Sequence, residues 1–147
     1  MREIEVDIWS LWGDGVIVIT TNGSTTKDGR AIPGRGVARQ AAERFPEMLV
    51  RLGEQLRLGG NHVYQIVPGL VSFPVEETPF ALPDLRLIRR SAEELRRLAD
   101  QQGWQQIVVP RPGCGGGGLS WQEVRPLLED LFDDRFIVVT TPRHDFC

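Results

Sequence analysis

The residues that first offer chemistry are Pro110-Arg111-Pro112-Gly113-Cys114-Gly115-Gly116-Gly117-Gly118-Leu119-Ser120-Trp121. Four successive glycines are costly to order, and a plain turn needs only one or two. Without side chains, backbone N–H groups can close on an anion. A helix opening at Ser120 would add its positive end to the same place. The chemistry this suggests is a cradle for a diphosphate. The alternative, a surface connection with no chemical role, carries less weight because the loop runs from an apolar strand into a capped helix. Two familiar phosphate motifs do not fit. Gly113 and Gly118 have P-loop spacing, but Leu119 stands where that motif needs lysine. Gly34-x-Gly36 begins a dinucleotide fingerprint, but Arg39 fills its third small position. Upstream, Asn22 could bond a sugar hydroxyl as donor and acceptor. It could equally close its own loop as an Asx-turn. Gly34 and Gly36 let a second stretch of backbone approach the same ligand.

Positioning these loops requires strands that end beside them. Ile4, Val6 and Ile8 alternate with Glu3, Glu5 and Asp7, the period of a half-buried strand. Val16-Ile17-Val18-Ile19 is a continuous β-branched run, expected where both faces of a strand are covered. A polar loop follows Thr20, and Gly34-Arg35-Gly36 opens a helix with Val37, Ala41 and Phe45 on one face. Pro46 separates it from a second helix whose stripe is Met48, Leu49, Leu52 and Leu56. His62 to Val67 reads as a strand, with Val71 to Phe73 as its continuation. Asp84 caps a long helix that Gly103 stops. Gln106 to Pro110 is another buried strand. Ser120-Trp121-Gln122-Glu123 has the capping-box pattern, and Phe136 to Thr140 is a last strand. Alternating strands and helices predict an α/β fold with helices on both sides of a largely parallel sheet. The first strand could pair antiparallel at an edge. Both glycine-bearing loops follow strand ends, where open α/β sheets hold ligands.

Composition limits what else the chain can be. Its 147 residues suit a single domain, 1–147. With 41% hydrophobic residues, it can bury one core without staples. A net charge of −3 argues against wholesale phosphate neutralisation of nucleic acid. Lys27 is the only lysine. No apolar run suits a membrane span or secretory leader. Cys114 and Cys147 cannot build a disulfide framework and lack metal-ligand spacing. The expectation is a cytoplasmic monomer with no metal, cofactor or membrane partner. Cys114 reads as a small loop filler, His62 and His144 as structural or solvated, and Trp121 as an apolar anchor.

Taken together, Val18-Ile19-Thr20-Thr21-Asn22-Gly23, Pro33-Gly34-Arg35-Gly36-Val37-Ala38-Arg39-Gln40 and the 110–121 loop resemble a macrodomain over nearly the whole chain. The subgroup most similar contains the terminal ADP-ribose protein glycohydrolase. The resemblance implies a three-layer α/β/α fold with a central mixed, mostly parallel sheet. It implies binding of ADP-ribose or of ADP-ribosylated protein or nucleic acid, with hydrolysis of the ADP-ribosyl bond as a possible activity. The alternatives are a reader without catalysis, or a regulatory domain for another nucleotide diphosphate. By this resemblance Asp7 meets the adenine amino group, with Ile8 beside it. Asn22 adjoins the distal ribose and is the candidate catalytic residue. Gly34, Arg35, Gly36 and Val37 cover the distal ribose and phosphate. Gly113, Cys114, Gly115, Gly116, Gly117, Gly118 and Leu119 form the diphosphate loop. Phe146 is a candidate for stacking on the ligand. In that subgroup a lysine attacks the sugar, assisted by a loop aspartate. Here Arg57 aligns near the lysine and Gly117 with the aspartate, so a covalent lysyl route is not expected.

Overall fold

The computed structural model describes residues 1–115 and 118–142. Its six-stranded sheet comprises β1 (Arg2–Glu5), β2 (Val16–Asn22), β3 (Gln65–Val67), β4 (Leu70–Glu76), β5 (Ile107–Pro110) and β6 (Phe136–Thr140). The spatial order is β1-β6-β5-β2-β4-β3. Pairing is parallel throughout except between β3 and β4. Along β2 the alternation sends Val16 and Val18 to one face and Ile17 and Ile19 to the other. That is why the run is apolar without a break. Helix α3 (Leu85–Gln102) covers the first face with Ile88, Ala92, Leu95 and Ala99. Helices α1 (Val37–Arg44) and α2 (Met48–Gly59) cover the second with Ala38, Ala41, Met48 and Leu52. The result is the expected three-layer α/β/α arrangement.

The local signals correspond to the observed caps. Asp84 accepts from the backbone N–H of Arg86 at the start of α3 (2.9 Å). Ser120 and Glu123 form the reciprocal capping box of α4 (Trp121–Val124). This helix is one turn long and tightens into a 3-10 turn, Arg125–Leu127. Pro126 has no N–H with which to continue the α ladder.

Three sequence expectations are corrected. The first strand pairs parallel with β6, Ile4 opposite Val139, rather than antiparallel. It stops at Glu5, because Asp7 caps a 3-10 turn, Ile8–Leu11, that removes Ile8 from the strand. Residues 62–73 are not one strand with a continuation. The chain reverses at Pro68-Gly69, so β3 is the antiparallel edge strand against β4.

Among the described residues no helix is long and apolar enough to cross a membrane. No group of three or more His, Cys, Asp or Glu among them could hold a metal ion. Parallel pairing puts the carboxyl ends of β1, β6, β5, β2 and β4 at one edge of the molecule.

Candidate functional site

At that edge a cleft of about 440 Å³ is lined by Asp7, Ile8, Gly36, Val37, Gln40, Thr141 and Pro142. The volume lies within the usual range for small-molecule sites. The 3-10 turn supplies one wall, the start of α1 a second, and the chain leaving β6 a third. Asp7 Oδ1 accepts from the backbone N–H of Trp9 at 3.1 Å. Among the described residues its other carboxylate oxygen has no partner. Gly36 is the N-cap of α1 and offers no side chain to the first N–H groups of that helix. Those donors are left without a side-chain cap at the positive end of the helix, where Gly36 and Val37 line the cleft.

Three of these lining residues, Gln40, Thr141 and Pro142, were not among the site residues expected from the sequence. Gln40 lies one turn into α1, and its Oε1 accepts from Trp9 Nε1 at 2.7 Å, so its amide donors remain available. The helical period from Gly36 could have flagged it. Thr141 is brought in only by the placement of β6. Trp9, in turn, packs against Phe45 and lies under the Arg44 guanidinium, 4.6 Å from the ring centroid. The wall carrying Asp7 and Ile8 is thereby fixed to α1.

Further along the strand ends stands Asn22, almost fully buried at the end of β2. Its Oδ1 accepts from the N–H of Ser24 at 3.0 Å, which is an Asx-turn. Its Nδ2 donates to the carbonyl of Ile32 at 3.0 Å. One amide hydrogen and one lone pair remain for other use. The local role is therefore realised, and it ties β2 to the segment that leads into Gly34, Arg35 and Gly36. Beside Asn22 on β4 the register partner is Glu76. Sequence reading overlooked this residue, because no motif surrounds it and only strand pairing brings it beside Asn22.

Arg57 lies elsewhere. It is exposed on α2, with Nε toward the carbonyl of Gly53 at 3.4 Å and its guanidinium against Gly29. Lys27 is exposed in the turn after β2.

The glycine loop leaves β5 and closes on itself, with the N–H of Leu119 donating to the carbonyl of Gly113 at 3.0 Å. Gly113 packs against Leu119, Pro83 and Ile88. Gly115 faces open space. Gly116, Gly117, His144 and Phe146 lie outside the described residues. Burial pushes the Cys114 thiol up to about 11, against a smaller downward pull from Arg111, so it stays protonated near neutrality and is a poor nucleophile. Trp121 at the loop exit is half-buried rather than purely an apolar anchor. Its Nε1 donates to Glu3 Oε1 at 2.9 Å, and Arg111 covers its ring at 4.9 Å. Glu3 also accepts from Arg125 Nε at 2.9 Å. His62 is paired with Glu94 at 2.8 Å in a separate surface hollow beside α3.

The fold is that of a macrodomain. Within that fold, the likeness is to the macrodomains of DarG. The Mycobacterium tuberculosis DarG macrodomain superimposes with a TM-score of 0.75 at 23% identity, over 95% of this chain and 98% of that one. The Thermus aquaticus DarG macrodomain gives 0.78 at 20% identity, over 96% and 97%. A Thermosipho africanus DarTG structure in complex with ADP-ribose gives 0.75 at 16% identity, over 97% of this chain and 42% of that one. In sequence, the chain is 25% identical over 111 residues to proteins named DNA ADP-ribosyl glycohydrolase from M. tuberculosis and Mycobacterium bovis. The match takes in 69% of this chain and 32% of each relative, so the chain spans about a third of their length. No protein-family model matches it.

Proposed function

We propose that this protein binds ADP-ribose across the carboxyl ends of its strands and hydrolyses the bond joining it to DNA. The observation that carries the reading is the cleft itself, which brings together the Asp7 oxygen that no described residue bonds and the start of α1, which no side chain caps. Adenine lies at the Asp7 and Ile8 end, near β6. The diphosphate is held by the backbone of the glycine loop at Gly113, Cys114, Gly115, Gly118 and Leu119, and by the start of α1. Gly34, Arg35, Gly36 and Val37 cover the distal ribose, with Asn22 below. From β6 across β5 and β2 to β4 are three strand spacings, about 14 Å at the usual strand separation. That is the scale of a two-ended nucleotide laid over the strand ends. The named activity of the curated relatives and the ADP-ribose complex of a structural neighbour support the choice of ligand and bond.

Calorimetry with ADP-ribose and AMP tests binding, and release from ADP-ribosylated DNA and protein tests turnover. ADP-ribose should bind at least tenfold tighter than AMP, since AMP lacks the second phosphate and the ribose. Equal affinities would overturn the placement. With Arg57 outside the cleft and Lys27 exposed, borohydride should trap no lysyl adduct during turnover; an adduct would exclude attack by water.

Asp7 has two tasks, capping the 3-10 turn with one oxygen and accepting from adenine with the other. In Asp7→Asn the cap can persist while an amide N–H₂ faces the adenine amino group. The dissociation constant for ADP-ribose should rise about tenfold, as expected for loss of a hydrogen bond to a charged acceptor. Unfolding temperature should change little. An unchanged dissociation constant in Asp7→Asn would exclude this adenine contact.

A further inference from the structure

We propose that Glu76, the last residue of β4, is the general base that activates water at the distal ribose. The proposal rests on the reading of the cleft as an ADP-ribosyl hydrolase site. Glu76 is the register partner of Asn22 across a bulge between β2 and β4. Val75 just before it packs into the core under α3. Asn22 is bonded to Ile32 in the segment that leads to Arg35. Arg35 is the charged group whose field reaches the Glu76 carboxyl. Glu76 and Asn22 therefore meet at the strand ends beneath that segment, where the distal ribose is placed.

The chemistry of the carboxylate supports the assignment. Glu3, Glu77 and Glu94 all have their carboxylates bonded, by Trp121 and Arg125, by Asn61, and by His62 and Val63 respectively. Glu76 is half-buried, and among the described residues no donor bonds its carboxylate. Its backbone is nonetheless held, because Asn61 Nδ2 donates to its carbonyl at 3.2 Å. A partly desolvated carboxylate with unused lone pairs is costly to keep, and a water molecule is the natural partner for it. Burial pushes the Glu76 carboxyl up, against a smaller downward pull from Arg35. A carboxylate with a raised pKa is a stronger base at neutral pH than an ordinary one.

The step balances without a metal or a second reactant. A Glu76 oxygen takes one proton from water as the water oxygen bonds to the anomeric carbon. The bond from that carbon to the DNA acceptor atom breaks, and its electron pair leaves with the acceptor. The acceptor then collects a proton, and Glu76 returns its own to solvent or to the leaving group. The products are free ADP-ribose and unmodified DNA.

The test compares wild type, Glu76→Gln and Glu76→Asp on ADP-ribosylated DNA as a function of pH, with ADP-ribose calorimetry alongside. Activity needs the ionised carboxylate. In the wild type it should therefore fall as pH drops through a value above that of an ordinary glutamate. Glu76→Gln should lower kcat about a hundredfold or more and abolish that acid limb. ADP-ribose affinity should stay within about twofold. Glu76→Asp should retain the limb at a reduced rate. Full kcat in Glu76→Gln would overturn the proposal, as would a loss seen only in affinity or a wild-type profile without the acid limb. A wild type that binds ADP-ribose but releases none would instead sink the hydrolase reading, and Glu76 with it. Should Glu76→Gln fail to fold, Glu76→Asp carries the test: wild-type kcat in that variant, or a wild-type profile without the acid limb, would overturn the proposal.

Discussion

Gly36→Val should reduce ADP-ribose affinity by one to two orders of magnitude while leaving the protein folded. Gly36 has φ +63° and ψ −127°, a backbone region that side chains with a Cβ do not tolerate. A Cβ built there meets nothing within 4 Å, so no core contact is at stake. The penalty is conformational, about 1–3 kcal/mol for a residue forced into such a region. The chain can relieve it only by turning the peptide at the start of α1. That would rotate away the N–H groups proposed to face the phosphates, and the valine side chain would enter the cleft. Calorimetry should show the loss, and circular dichroism should show the helix content retained. Wild-type affinity in Gly36→Val would mean that this backbone takes no part in binding.

The second large effect is on stability. Gly53, inside α2, lies so close to the loop after β2 that an added Cβ would stand 2.0 Å from the carbonyl oxygen of Gly29. The atom in the way belongs to the backbone and cannot swing aside as a side chain would. Gly53→Ala should therefore force α2 and that loop apart. The cost is about 1–3 kcal/mol, the usual range for overpacking a tight contact. Alanine's better helix propensity offsets less than about 1 kcal/mol of it. Because the displaced loop continues to Ile32, Arg35 and Gly36, affinity for ADP-ribose should fall along with the unfolding temperature. A melting curve superimposable on wild type would show that the two elements can separate without cost.

Much of this architecture was legible in the sequence because its signals are local. The unbroken Val16–Ile19 run marks a strand covered on both faces. Asp84 and the Ser120–Glu123 pair mark helix starts through bonds made within three residues. What was not legible depends on partners distant in the chain. Nothing near Ile4 states whether β1 runs with or against β6, about 135 residues away. The Pro68-Gly69 reversal was obscured by apolar residues on both sides, which suit one long strand as well as two short ones. The same division holds at the cleft. Asp7, Ile8, Gly36 and Val37 sit in recognisable sequence contexts and converge there. Gln40 has only helical periodicity to reveal it. Glu76 is an ordinary glutamate until strand pairing sets it beside Asn22. Arg57 is the converse case, since alignment brought it near a catalytic position while α2 holds it on the outer surface.

The tie between Glu3 and the pair Trp121 and Arg125 has a consequence for the order of events during folding. It joins residues 118 and 122 positions apart. Contacts of such separation carry a large loop-closure cost and form late. Until they form, the helix that follows the glycine loop lacks its anchor to β1. During synthesis, β1 must wait unpaired until β6 has emerged. Maturation of the binding site and completion of the sheet should therefore be one kinetic event. In a refolding time course, recovery of ADP-ribose binding should coincide with the slowest structural phase rather than precede it.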